Sequence, residues 1–80
     1  MAQLKSFSEL SKSEKNIIMD VVDCHRIRGG GLSIGGKRDS LPYKGVSDLT
    51  NLISVGSFGS DYTARMTEKG ILFFGLKPAK

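Results

Sequence analysis

Asp20, Cys24 and His25 are the residues of this chain whose types could hold a metal or form a nucleophile, and Asp20 and Cys24 stand one helical turn apart. A metal centre needs three or four ligands, and the chain has one Cys and one His. A nucleophilic Cys–His pair needs its side chains to meet, whereas adjacent residues on a helix point apart. The expectation is a small buried Cys beside a His at the helix edge, with no catalytic residue, no metal and no cofactor.

A second constellation is Gly31-Leu32-Ser33-Ile34-Gly35-Gly36-Lys37-Arg38, which fits G-x-x-x-x-G-K. A nucleotide loop needs Ser or Thr after the lysine to coordinate Mg²⁺, and Arg38 stands there. A helical pattern precedes the glycines where a strand is required. The fit reduces to glycines that let backbone N–H groups approach a phosphate, with Lys37 and Arg38 beside them.

The third feature is charge. Of a formal net charge of +4, all is contributed between Cys24 and Gly45, where Arg26, Arg28, Lys37, Arg38 and Lys44 meet only Asp39. Elsewhere seven bases balance seven acids. A neutral body with one basic segment points to a polyanionic partner met by one surface. Tyr43 beside Lys44 could stack a base, although an aromatic anchor packed on the core is the simpler reading.

Eighty residues allow one small domain and exclude most catalytic architectures. So small a core makes a binding partner or a dimer a reasonable expectation. A single Cys fits a reducing compartment. The opening residues lack the apolar run of a signal peptide, and no stretch reaches the ~20 apolar residues of a membrane span. A cytoplasmic location follows as an expectation.

Several elements must position these residues. Residues 1–7 read as an N-terminal arm. Ser11 with Glu14 three residues on forms a capping box, and Ile17, Ile18, Val21 and Val22 follow at helical spacing, so a helix runs from about Ser11 to Arg28. Gly29-Gly30-Gly31 end it. Residues 29–45 hold six of the ten glycines and Pro42, and read as a basic Gly-rich loop in which Leu32 and Ile34 permit a short strand. Val46–Ser54 reads as a short helix capped by Ser47. Val55–Phe58 and Tyr62–Met66 flank Gly59-Ser60-Asp61 as a β-hairpin. Thr67 reads as another N-cap, and Ile71–Leu76 forms a closing apolar run whose period fits helix or strand. The fold class is a single small α+β domain.

The run Tyr62-Thr63-Ala64-Arg65-Met66-Thr67-Glu68-Lys69-Gly70 resembles the Y-x-L-T-x-x-G segment that closes the wing in winged helix-turn-helix domains of small bacterial and phage transcriptional regulators. The entry Leu10-Ser11-Lys12-Ser13-Glu14 is similar to the first-helix entry of such domains. The likeness covers about half of the chain. It implies that Met66 enters the core, that Thr67 starts the next helix, that Val46–Ser54 occupies the recognition-helix position and that residues 56–62 form the wing. That family has a further helix before the recognition helix, and the Gly-rich segment with Pro42 predicts that it is missing or badly degraded here. The implied helix carries Asp48 and no base. Thr50, Asn51 and Ser54 would then read the nucleic acid, and Arg26, Arg28, Lys37, Arg38, Lys44 and Arg65 would neutralise phosphates. The implied function is a DNA-binding regulator, with double-stranded DNA as partner and a homodimer as the expected state. The alternative is a phage-type or mobile-element-type inhibitor or adaptor that binds a host protein.

Overall fold

Ser11 begins the first long helix by the expected mechanism. Its hydroxyl accepts from the Glu14 backbone N–H, and the Glu14 carboxylate accepts from the Ser11 N–H at 2.8 Å. The Ser11 backbone N–H, and after it the Ser11 hydroxyl, holds the Glu14 carboxyl below the usual carboxylate range. In the computed structural model, which describes residues 4–78, this helix (α1) spans Lys12–Arg28 and ends on Gly29 at φ 74°. The positive φ suits glycine because it has no Cβ to clash. Ile18, Val21 and Val22 are buried on its inner face.

After α1 the structure departs from the loop reading of residues 29–45. Leu32–Gly35 form strand β1, and Lys37–Thr50 form helix α2. Of the predicted helix Val46–Ser54, only Val46–Thr50 is helical, as the last part of this longer element. It stops at Asn51, which adopts φ 58°, and Ser54 belongs to the next strand. Ser47 caps nothing; it lies within α2 and donates its hydroxyl to the Ile53 carbonyl at 2.7 Å.

Pro42 sits inside α2, where it removes one helical N–H and disfavours helical geometry at Leu41. Tertiary contacts outweigh that penalty. Ser40, Val46 and Thr50 are buried and Tyr43 packs against the core, so one face of α2 is held along its length. The carbonyl that Pro42 leaves without a helical donor belongs to Arg38, which is exposed, so water can satisfy it. The Ser40 hydroxyl adds a bond to the Lys37 carbonyl at 2.7 Å.

Strands β2 (Ile53–Phe58) and β3 (Asp61–Met66) form the predicted hairpin. β1 joins it on the other side of β3, giving an antiparallel sheet of order β1-β3-β2. Ile53, Ala64, Met66 and Ile34 face the helices and are buried, so Met66 enters the core as expected. Ser33, Ser54, Thr63 and Arg65 alternate onto the outer face. The closing apolar run is helical: α3 spans Glu68–Phe74. Thr67 caps it by accepting from the Gly70 N–H at 3.0 Å. Gly70 is where α3 meets the body, since a Cβ there would collide with the Leu52 carbonyl oxygen and the Met66 methyl. Among the described residues the result is a small α+β fold of three α-helices and a three-stranded antiparallel sheet.

Of the predicted arm, residues 1–3 lie outside the described residues. Lys5 donates its N–H to the Leu49 carbonyl at 2.7 Å. A single 3₁₀ turn, Phe7–Glu9, follows. Phe7 packs edge-on against Phe74, with ring centroids 5.4 Å apart.

Candidate nucleic-acid interface

Because α2 replaces the loop, three of the predicted basic residues stand on a helix. Lys37, Arg38 and Lys44 are all exposed. Lys37, Leu41 and Lys44 recur at i, i+4 and i+7, which aligns them on one solvent face over about 10 Å of helix. Arg38 flanks this stripe, and Asp48 closes it one turn beyond Lys44. Leu41 is 56% exposed at its centre. The stripe was hidden in the sequence because Pro42 reads as a break. Its signal was the helical spacing of Lys37, Leu41 and Lys44.

The start of α2 is fixed by the sheet. β1 ends at Gly35, opposite Tyr62, next to the two-residue turn Gly59-Ser60. Gly36, in extended conformation, caps α2 immediately afterwards. The first turn of α2 and the hairpin turn therefore lie at the same end of the sheet. Lys37 and Arg38 occupy the helix N-terminus, where the dipole disfavours cations. Asp39 in the same turn and Asp61 at the hairpin reduce the local excess of positive charge.

Arg26, Arg28 and Arg65 form a different group. Arg26 and Arg28 are exposed in the last turn of α1. Arg65 lies on the outer sheet face, about 13 Å along β3 from Asp61. Gly31 brings the chain from α1 across this residue: a Cβ at Gly31 would stand 2.8 Å from Arg65 Cγ. The basic segment of the sequence is thus divided between two ends of the sheet.

The polar trio expected to read bases is dispersed. Thr50 is fully buried; its hydroxyl donates to the Val46 carbonyl at 2.9 Å and accepts from the Leu52 N–H at 3.2 Å. It is a core residue, and its assignment to a binding surface is corrected. Asn51 is exposed, but its backbone carbonyl accepts from the Thr67 hydroxyl at 2.6 Å, which ties it to the start of α3. Ser54 is exposed on β2, directly across from Arg65 on the outer face. Neither Asn51 nor Ser54 stands on a helix, because the burial of Leu52 and Ile53 pulls the chain into the sheet there.

The remaining constellations resolve into structure. Cys24 is buried and its thiol donates to the Gly31 carbonyl at 3.4 Å. His25 is buried with Nε2 against the Lys77 carbonyl at 2.5 Å. Among the described residues no three His, Cys, Asp or Glu side chains gather as a metal site. Between Gly31 and Gly36 the chain is a strand, so the glycine–lysine spacing does not wrap a phosphate. Tyr43 is half-buried, and burial, with Asp20 nearby, raises its hydroxyl pKa. Among the described residues no helix is long and apolar enough to cross a membrane. Comparison with protein-family models, with curated proteins and with solved structures found no match to the chain.

Proposed function

We propose that this protein is a small DNA-binding regulatory protein with a winged-helix-like arrangement, in which α2 is the reading helix and the β2–β3 hairpin the wing. One observation carries the reading: the exposed stripe of Lys37, Leu41 and Lys44, with Arg38 beside it, begins at the end of the sheet where the hairpin turns. A helix and a hairpin tip presented side by side suit a groove and its flanking phosphates. Lys37, Arg38 and Lys44 supply phosphate contacts, and Leu41 offers an apolar contact such as a thymine methyl. Arg26, Arg28 and Arg65 extend the positive surface along the sheet, where they attract the backbone at longer range.

The test is a mobility-shift titration of duplex DNA at several salt concentrations. The reading expects log K to fall with log salt at roughly 0.9 per phosphate contacted. Lys37→Glu with Arg38→Glu should weaken binding at least about tenfold, since two phosphate contacts become repulsions. Absence of binding at low salt, or indifference to the double reversal, would sink it.

A second reading, an adaptor or inhibitor that binds a host protein, is favoured by a separate observation. Leu72 and Phe73 on α3 are 76% and 56% exposed, and Phe73 belongs to the Phe7–Phe73–Phe74 cluster. Apolar residues grouped in this way mark contact surfaces more often than bare solvent faces. Leu72→Ser with Phe73→Ser should then abolish capture of a stoichiometric protein while leaving any DNA binding intact.

A further inference from the structure

The two edges of the sheet are unequally protected. β1 has four residues, and its register slips between Ser33 and Gly35. A short strand with an irregularity is a poor template for further pairing. β2 has six residues, Ile53–Phe58, and pairs with β3 in unbroken register from Ile53↔Met66 to Phe58↔Asp61. It contains no charge and no proline, so it lacks the usual devices that keep an edge strand single.

The direction of its free backbone groups follows from the turn. Phe58 and Asp61 flank a two-residue turn and form a hydrogen-bonded pair. By alternation, Gly56 and Ser54 also bond to β3, and the N–H and C=O groups of Val55 and Ser57 point outward. Two bonds agree with this assignment. The Leu52 carbonyl accepts from the Thr67 N–H on the β3 side, and the Ile53 carbonyl is taken on the other side by Ser47. Among the described residues no hydrogen bond outside the ladder reaches the backbone of Val55 or Ser57. Gly56 and Ser57 are exposed, and Ser54–Ser57, Thr63 and Arg65 line a shallow depression of about 570 Å³ on the sheet.

We propose that the β2 edge is a self-association surface, and that its occupant is β2 of a second copy of this chain, antiparallel about a two-fold axis at Gly56. In that register Val55 opposes Ser57 of the second copy and Ser57 opposes its Val55. Each of these residues offers one donor and one acceptor, so four backbone hydrogen bonds form. Gly56 meets Gly56 at the closely spaced pair, about 4.5 Å between Cα atoms. Self-pairing fits because the strand is uncharged and no like charges meet at the axis. The two Arg65 residues are kept about 14 Å apart across the strands by the two intervening β2 strands, and about a further 13 Å apart along them. The product is a six-stranded sheet of order β1-β3-β2-β2-β3-β1 with its hairpin turns directed oppositely. This inference does not rest on the nucleic-acid reading.

Sedimentation equilibrium of the full chain, without nucleic acid, tests it. The expected result is reversible monomer–dimer exchange in the micromolar range. Ser57→Pro removes an outward N–H and keeps the β3 ladder, and Ser57→Lys places a charge on the edge. Both should raise the dimer dissociation constant at least about tenfold, with unchanged far-ultraviolet circular dichroism for Ser57→Lys. Gly56→Cys should give a disulfide-linked dimer under mild oxidation, which the parent chain, with Cys24 buried, should not. A single monomeric species up to millimolar concentration would overturn the proposal. So would a dimer that folded Ser57→Lys leaves unchanged and that Gly56→Cys does not trap.

Discussion

α1 and α2 are the two long helices on one face of the same sheet, and they are held by different means. α1 carries its own signals: a reciprocal cap at Ser11 and Glu14, an apolar stripe through Ile18, Val21 and Val22, bases in its last turn and Gly29 beyond. α2 begins at a glycine with no side-chain cap, places two bases where the dipole repels them, and contains Pro42 and Gly45. Its helicity rests on the burial of Ser40, Val46 and Thr50 against the sheet. Where local preference is weak, contacts with residues distant in sequence decide the conformation. The candidate reading surface stands on this second helix.

That contrast can be broken first at Thr50. Thr50→Val keeps the shape but leaves the Leu52 N–H without its acceptor, which should cost about 1–3 kcal/mol in urea unfolding. It should leave DNA affinity per folded molecule unchanged, because the residue is buried. A loss of affinity without loss of stability would return Thr50 to the interface.

Pro42→Ala has the opposite sign. An interior proline is disfavoured by about 3 kcal/mol relative to alanine, and proline offsets about 1 kcal/mol of this by restricting the unfolded chain. The substitution should therefore stabilise the protein by about 2 kcal/mol, read as a higher midpoint of denaturation. No gain would mean that α2 is bent at Pro42 in a way the fold requires.

In α1 the local signals themselves are the target. Ser11→Ala removes the cap and should cost about 1 kcal/mol. The last and smallest effect is in pH. The Glu14 carboxyl is held below its ordinary value mainly by the Ser11 backbone bond and next by the Ser11 hydroxyl. A depressed carboxyl stabilises the fold above its unfolded pKa, and that contribution is lost as pH falls through the lower folded value. Ser11→Ala should raise the Glu14 pKa toward the ordinary range in an NMR titration and flatten the acid limb of stability. An unmoved Glu14 would show that the backbone bond suffices alone.

The candidate site was less legible than the scaffold. The bases Lys37, Arg38 and Lys44 could be picked out by charge, but their arrangement as a stripe with Leu41 could not, because Pro42 and six glycines in 29–45 read as loop. Thr50, Asn51 and Ser54 were grouped by spacing on a helix that ends before two of them. Burial of Leu52 and Ile53 in the core turns the chain from helix to strand there.

From the sequence alone came the features that depend on neighbours three or four residues apart: both ends of α1, the cap at Thr67 and the hairpin around Gly59-Ser60. These follow from hydrogen bonds and turn geometries closed within a short segment. The tertiary structure decided what depends on distant partners: the pairing of β1 with β3, the continuation of α2 through Pro42, the helical form of Ile71–Phe74 and the division of the basic residues between two ends of the sheet. A segment with poor intrinsic preference takes whichever conformation buries its apolar face, and the sheet that fixes this choice for α2 is completed by strands formed later in the chain.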